Sequence, residues 1–418
     1  MDFRKQAAIN SIGSIVLMFG QWLISVLIVR MSGYEDAGIF SLAMTVSNVF
    51  SFFANYGLRN YQVSDVQGRY TQGQYLLTRT ITALLSVIAC GVYLLVAGGY
   101  SPVERWAILL YLLYSNVNVL SDTLLGALQL RDRLDINGYS NMMRGTLCFL
   151  IFVVTYLMAH DLLLSLGAMA LATLLLTVFY DWRCFCRVET MNRWNSADCR
   201  AAGCLLKVCF ALMLSNIFPV ITTALPRRSI QKLAGTEQLG YFSSVFTPTV
   251  LITTLVPAII IALVPKMARA WTDKDRPAFT KLIVQNYGIA VGFVILAELA
   301  ALVAGRPVMR LVFGDSILDY YYLLYWAIAV TGLNVLVYCG NMTLISVDSK
   351  RSVAVLSVLG TVTAWALSDS LVRSFGIGGA AGALAAAYLI QVLLQVLLLG
   401  WKVYGHWNGR PDRANETA

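Results

Sequence analysis

Three acidic residues interrupt the apolar stretches of this 418-residue chain: Asp122, Glu298 and Asp369. In hydrocarbon each could take up and release a cation. Asp122 ends a stripe with Ser115 and Asn118 at i, i+3 and i+7, so one helical face carries all three. Glu298 sits among alanines and leucines with no polar companion, and Asp369 falls near the end of its run. A carboxylate held charged in mid-bilayer costs on the order of 3 kcal/mol, and its protonated form avoids that cost. Asp122 and Glu298 are therefore candidates for coupling to a proton or sodium gradient; the competing reading is a structural hydrogen bond to a neighbouring helix.

Cations cluster elsewhere. Arg227, Arg228 and Lys232 lie close together at the end of one run, where they could attract an anion as strong as a pyrophosphate or simply pair with Glu237 or lipid phosphates. Uncharged polar residues also recur at helical spacing. One run carries Ser41, Thr45, Asn48 and Asn55, and the run before it carries Asn10, Ser14, Gln21 and Ser25. Later, Asn216, Pro219, Thr223 and Arg227 share a face, as do Ser244, Thr247 and Thr254. A polar side chain facing lipid is costly, so such stripes mark faces turned toward protein or water. Gln21, Asn48, Asn55, Asn216 and Thr223 are the candidate lining of a polar cavity. Pro219, Pro248 and Pro257 would let their helices bend beside it.

Other chemistries are excluded by what the chain lacks. No glycine-rich GxxxxGK[ST] loop is present, and two histidines, His160 and His406, cannot assemble a triad or a multi-histidine metal site. Cys184, Cys186, Cys199 and Cys204 lie near one another, but their spacing matches no zinc pattern; Cys90, Cys148 and Cys339 read as small apolar residues within helices. No cofactor or metal is expected. With 58% hydrophobic and 13% charged residues, the chain cannot cover a soluble surface, and the net charge of +9 needs no nucleic-acid partner to explain it.

The elements that must position these residues are membrane helices. A span needs about 20 mostly apolar residues, and twelve such runs are legible: residues 8–29, 38–58, 81–96, 108–128, 143–158, 162–179, 204–225, 240–263, 282–304, 320–339, 352–371 and 379–401. The predicted fold class is an all-α polytopic membrane protein. Its predicted organisation is a six-helix lobe over 1–181, a cytoplasmic linker over 182–203, a second six-helix lobe over 204–401 and a cytoplasmic tail over 402–418. The first run is too long for a secretory signal and no cleavage site follows it, so it is expected to be retained. With the N-terminus inside, 23 of the 31 basic residues lie on the cytoplasmic side, as the positive-inside rule requires. Both termini are then cytoplasmic, and no outer loop exceeds about 15 residues.

The halves also repeat. Arg30, Gly33, Glu35, Gly38, Phe40 and Ser41 recur at a constant offset as Lys232, Gly235, Glu237, Gly240, Phe242 and Ser243. Because six helices separate the two windows, both halves start on the same side, and the repeat is parallel.

Twelve helices in two sixes, the segment Gly57 to Val66 (GLRNYQVSDV) and the hairpin Pro226 to Ser243, with basic residues ahead of a Gly-x-Phe, resemble a known family. It is the O-antigen and capsular polysaccharide repeat-unit flippases of the multidrug/oligosaccharidyl-lipid/polysaccharide exporter superfamily. The resemblance implies a V-shaped pair of lobes around a central cavity, in a bacterial inner membrane. It implies a flippase rather than an enzyme, with undecaprenyl-diphosphate-linked oligosaccharide as cargo, membrane lipids as surroundings and a polymerase of the same pathway as partner. Gln21, Asn48, Asn55 and Asn216 would contact sugars, and Arg227, Arg228 and Lys232 would attract the diphosphate on the outer side. Inner capture would need other cations, with Arg79, Arg144 and Lys207 as candidates. A multidrug extruder of the same superfamily would share the layout, and a polysaccharide polymerase would need a larger outer loop.

Overall fold

The computed structural model describes residues 3–65, 68–189, 195–261 and 263–407; Val66 of the family segment, residues 190–194 of the expected linker and 408–418 of the expected tail lie outside them. Among the described residues every regular element is a helix. They are α1 (Phe3–Ser32), α2 (Tyr34–Asn55), α3 (Leu58–Ser64), α4 (Gln72–Val96), α5 (Pro102–Leu130), α6 (Leu134–Ala159), α7 (Leu162–Leu176) and α8 (Trp182–Cys186). There follow α9 (Ser196–Ala234), α10 (Thr236–Phe246), α11 (Val250–Ile260), α12 (Val264–Thr272), α13 (Arg276–Ala300), α14 (Arg306–Phe313), α15 (Tyr322–Ser346) and α16 (Lys350–Trp407).

Ten helices are long and apolar enough to cross a membrane, and 11 when the two arms of the bent α9 count as one span. The longest, Arg351–Gly405, departs from helical geometry at Gly376 (φ 58°), and Leu371 comes back against Gly379. It is a hairpin of two spans, which brings the described spans to the expected twelve. The chain is a multi-pass membrane protein.

Most helices run beyond their apolar runs because polar caps close them. Thr71 and Gln74 form a capping box ahead of α4, Ser101 and Glu104 another ahead of α5, and Asp275 caps α13. The eighth run departs most from expectation. Instead of one helix over 240–263, Pro248 opens a 3₁₀ turn (Thr247–Thr249) between α10 and α11, because proline removes a ladder donor and clashes with the preceding turn.

The chain forms two compact units, Met1–Val220 and Ile221–Ala418. In the first, Leu205, Cys209 and Met213 of α9 pack with Tyr56, Leu58 and Tyr75. Its tightest seam joins α1 to α6. Gly13 and Gly20 face Gly138 and Gly145, each pair seven residues apart, and the backbones touch. A Cβ on Gly145 would stand 2.7 Å from Leu17 Cα and from the Val16 carbonyl. Gly145→Ala is therefore expected to cost about 1–3 kcal/mol, since backbone cannot yield as a side chain can; thermal unfolding in detergent measures it.

The repeated windows fold alike, each in its own unit. Gly33 (φ 86°) precedes α2 and Gly235 (φ 93°) precedes α10, both in a region that a Cβ disfavours. Phe40 and Phe242 are both buried two turns later.

Candidate functional site

The helices of the first unit line an open cavity of about 380 Å³, most of whose lining residues are polar. From α1 comes Gln21; from α2, Asn48, Ser51 and Asn55; from α5, Ser115, Asn118 and Asp122, with the rings of Tyr111 and Tyr114; from α6, Asn141 and Arg144. On α2 and α5 alike the contributors step by three and four residues, so each helix turns one face inward. Gln21 Nε2 donates to the Tyr114 hydroxyl at 3.2 Å.

Two ion pairs carry the charge of this wall. Asp122 accepts from Arg59 of α3, whose guanidinium also donates to the Asp122 carbonyl at 3.0 Å and to Gln129 Oε1 at 2.8 Å. Arg144 pairs with Asp181, which is fully buried and also accepts from Ser121 at 2.6 Å and Ser140 at 2.7 Å. Arg144 donates as well to Asn118 Oδ1 at 2.8 Å and Thr177 at 3.0 Å. A third cation stands just behind the wall. Arg79 is fully buried, donating to Thr123 Oγ1 at 2.6 Å and to the carbonyls of Ala54 and Asn55. No carboxylate contacts it among the described residues, and its Nη2 has no hydrogen-bond partner. Two neutralised pairs, one buried cation and a shell of amides, hydroxyls and phenol rings suit a polyhydroxylated ligand bearing negative charge better than a cationic one.

Arg59 was not among the expected site residues, although it lies in the Gly57–Val66 segment. Gly57 (φ 69°) makes the turn after α2, and Gln62 Nε2 donates to the Thr123 carbonyl at 3.1 Å and to Gln72 Oε1 at 2.7 Å. Asp65 closes the following loop, accepting from the Arg69 and Tyr70 amides at 3.0 and 3.1 Å and from the Tyr75 hydroxyl at 3.0 Å. Burial pushes the Asp65 carboxyl upward, but those donors outweigh it and hold it below the ordinary carboxylate range.

The other expected site residues are not part of this cavity's lining. Ser41 and Thr45 are buried on α2 without reaching it, and Ser51 takes their place on its wall. Asn216 is exposed on α9 and Lys207 likewise; neither lines the cavity. Thr223, Arg227, Arg228 and Lys232 belong to the second unit. There Arg228 donates to Gln231, and Lys232 meets Asp369 at 3.5 Å; Glu237, one of the alternative partners read from the sequence, is not the carboxylate it pairs with. Asp369 also accepts from Ser229 at 2.5 Å. Thr247 and Thr254 spend their hydroxyls on the Ser243 and Val250 carbonyls of their own chain segment. Glu298 lies half-exposed on α13 beside Leu296, Leu299 and Leu302, and it does not line the amide-rich cavity. No group of three His, Cys, Asp or Glu side chains that could hold a metal occurs among the described residues, and the eight cysteines are unpaired.

The chain superposes on solved transporters over nearly its whole length. Against the lipid II flippase MurJ in an inward closed conformation the TM-score is 0.70 at 11% identity, covering 94% of this chain and 87% of that one. Against an inward-facing multidrug resistance MATE family transporter of the MOP superfamily it is 0.69 at 14% identity, covering 98% and 100%. A mutant of the Vibrio cholerae MATE transporter VcmN gives 0.64 at 13% identity, covering 96% of each. The fold is that of the MOP-superfamily transporters. A relative in sequence is the capsular polysaccharide biosynthesis protein CapF of Staphylococcus aureus, 20% identical over 306 residues, which are 73% of this chain and 76% of that protein. No known family profile matches the chain.

Proposed function

We propose that this MOP-fold protein is a flippase that carries an undecaprenyl-diphosphate-linked oligosaccharide repeat unit, an O-antigen or capsule precursor, across a bacterial inner membrane by alternating access. The observation that carries the reading is the cavity of about 380 Å³ lined by Gln21, Asn48, Asn55, Asn118 and Asn141 inside an otherwise apolar bundle. Its volume lies in the range of small-molecule sites. Sugars and a diphosphate cannot enter hydrocarbon without losing their hydrogen bonds to water, at several kcal/mol per unsatisfied group, whereas a prenyl tail is stable there. A wall of amides and hydroxyls replaces those bonds for the sugar while the tail stays in lipid. Arg144 and the field of Arg79 favour the diphosphate, and Arg227, Arg228 and Lys232 would draw it outward on release.

In this reading Asp122 is the ion-coupling residue, and Arg59 is the cation it pairs with. Both termini face the cytoplasm, in line with the distribution of lysine and arginine in the loops. The protein works without cofactor or covalent chemistry and hands its cargo to a polymerase of the same pathway. The names of MurJ and of the capsule protein CapF support a lipid-linked saccharide as cargo; the MATE transporters show that the same fold also serves drug extrusion.

The test is the leaflet in which lipid-linked single repeat units collect when the gene is deleted. Collection on the cytoplasmic side is expected. Collection on the outer side would point to polymerisation, and an unchanged lipid pool with heightened drug sensitivity would point to extrusion; either outcome overturns the proposal.

A further inference from the structure

The second unit holds a separate cavity of about 650 Å³ where α13 ends. Its wall joins two chemistries. Leu302 and Val303, 69% and 82% exposed, continue the apolar surface of the Arg276–Phe313 span, so this side opens toward lipid. The other side carries Arg306, Asp319 and the phenols of Tyr321, Tyr322 and Tyr325.

The wall is fixed in place. The chain makes one π-helical turn, Ala301–Gly305, before α14, and Tyr321 donates its hydroxyl to the Ala301 carbonyl at 2.6 Å. Tyr325 follows at 3.3 Å from the Tyr321 hydroxyl, and the Arg306 guanidinium lies over the Tyr321 ring at 5.4 Å. These contacts leave one charge of each sign without an opposite charge. Arg310, one turn on, takes Asp315 as its partner, but Arg306 and Asp319 form no ion pair with each other or with any described residue.

We propose that this cavity binds the headgroup of an aminophospholipid, with its phosphate on Arg306 and its ammonium on Asp319. The lipid-facing apolar side admits acyl chains and disfavours a water-soluble ligand. Arg306 supplies a planar fork for phosphate oxygens, and the exposed Tyr322 adds a hydroxyl donor at the depth where phenols commonly sit in membranes. A purely anionic headgroup would meet the Asp319 carboxylate, and a phosphate-free glycolipid would leave Arg306 unmatched. A zwitterion answers both charges at once. The site is remote from the amide-lined cavity in sequence and in chemistry, and it stands whether or not that cavity carries a saccharide.

Native mass spectrometry of the full-length protein in detergent, titrated with phosphatidylethanolamine, phosphatidylglycerol or a phosphate-free glycolipid, tests the assignment. The protein is expected to bind phosphatidylethanolamine roughly tenfold more tightly than phosphatidylglycerol, a factor within reach of one charge-assisted contact. Asp319→Asn should erase that preference, and Arg306→Gln should weaken both phospholipids. Asp319→Glu and Arg306→Lys should keep the preference, which separates headgroup reading from loss of fold. Equal binding of the two phospholipids by the unmodified protein, tighter binding of the glycolipid, or indifference to both neutralising substitutions would overturn the proposal.

Discussion

Asp181→Ala is expected to destabilise the first unit by about 3–5 kcal/mol, the usual cost of stranding one partner of a buried ion pair. Asp181 is fully buried and holds three donors, Arg144, Ser121 and Ser140, so its removal leaves a guanidinium and two hydroxyls without their acceptor. Arg144 would retain only Asn118 and Thr177. For a unit of this size the loss corresponds to roughly 6–20 °C in melting temperature, readable by circular dichroism in detergent. The double variant Arg144→Ala with Asp181→Ala should cost less than the sum of the singles, because each single change strands the other partner. A shift of under 2 °C for Asp181→Ala would mean that water or lipid headgroups already satisfy this network.

Asn48→Trp is expected to abolish transport while leaving the protein folded. Asn48 is only half-buried and faces the cavity, so an indole there occupies volume that a cargo headgroup needs and removes an amide from the wall. Losing even 1.4 kcal/mol of cargo binding is tenfold, and blocking part of about 380 Å³ should exceed that. Leu95→Trp is the matched control, placing the same bulk at a side chain that is 81% exposed on the outside of the bundle. Surface display of the finished glycan, measured in a deletion strain complemented by each variant, should fall more than about tenfold for the first and under about twofold for the second. Equal activity of the two would remove the cavity from the transport path.

The membrane spans were readable because hydrocarbon imposes a coarse demand, a long enough run of apolar residues, and twelve runs met it. Their ends were less readable, since Thr71, Ser101 and Asp275 cap helices from polar segments that a hydropathy window discards. The Ser115, Asn118 and Asp122 stripe was visible for a local reason: helical spacing alone puts the three on one face, and all three line the cavity. Arg59 was hidden because its partner lies 63 residues away in sequence, and nothing local to GLRNYQVSDV specifies that distance. Asp181 was hidden differently. It sits just past the sixth apolar run and reads as an interfacial residue, but the π-helical turn Thr177–Asp181 rotates it inward, and a 3.6-residue period cannot anticipate that extra residue. On the eighth run Thr247 and Thr254 satisfy their hydroxyls on carbonyls of their own chain segment, so threonines at helical spacing do not by themselves mark a wet face.

The glycine seam between α1 and α6 has a mechanical corollary. Where Gly13, Gly20, Gly138 and Gly145 let two backbones lie in direct contact, no flexible side chain intervenes to act as a lubricant. Sliding one rod past the other would drive carbonyl oxygens into α-carbons within a fraction of a residue's rise. The pair behaves as a girder, and whatever deformation a working stroke demands of this unit must be taken up in its other helices.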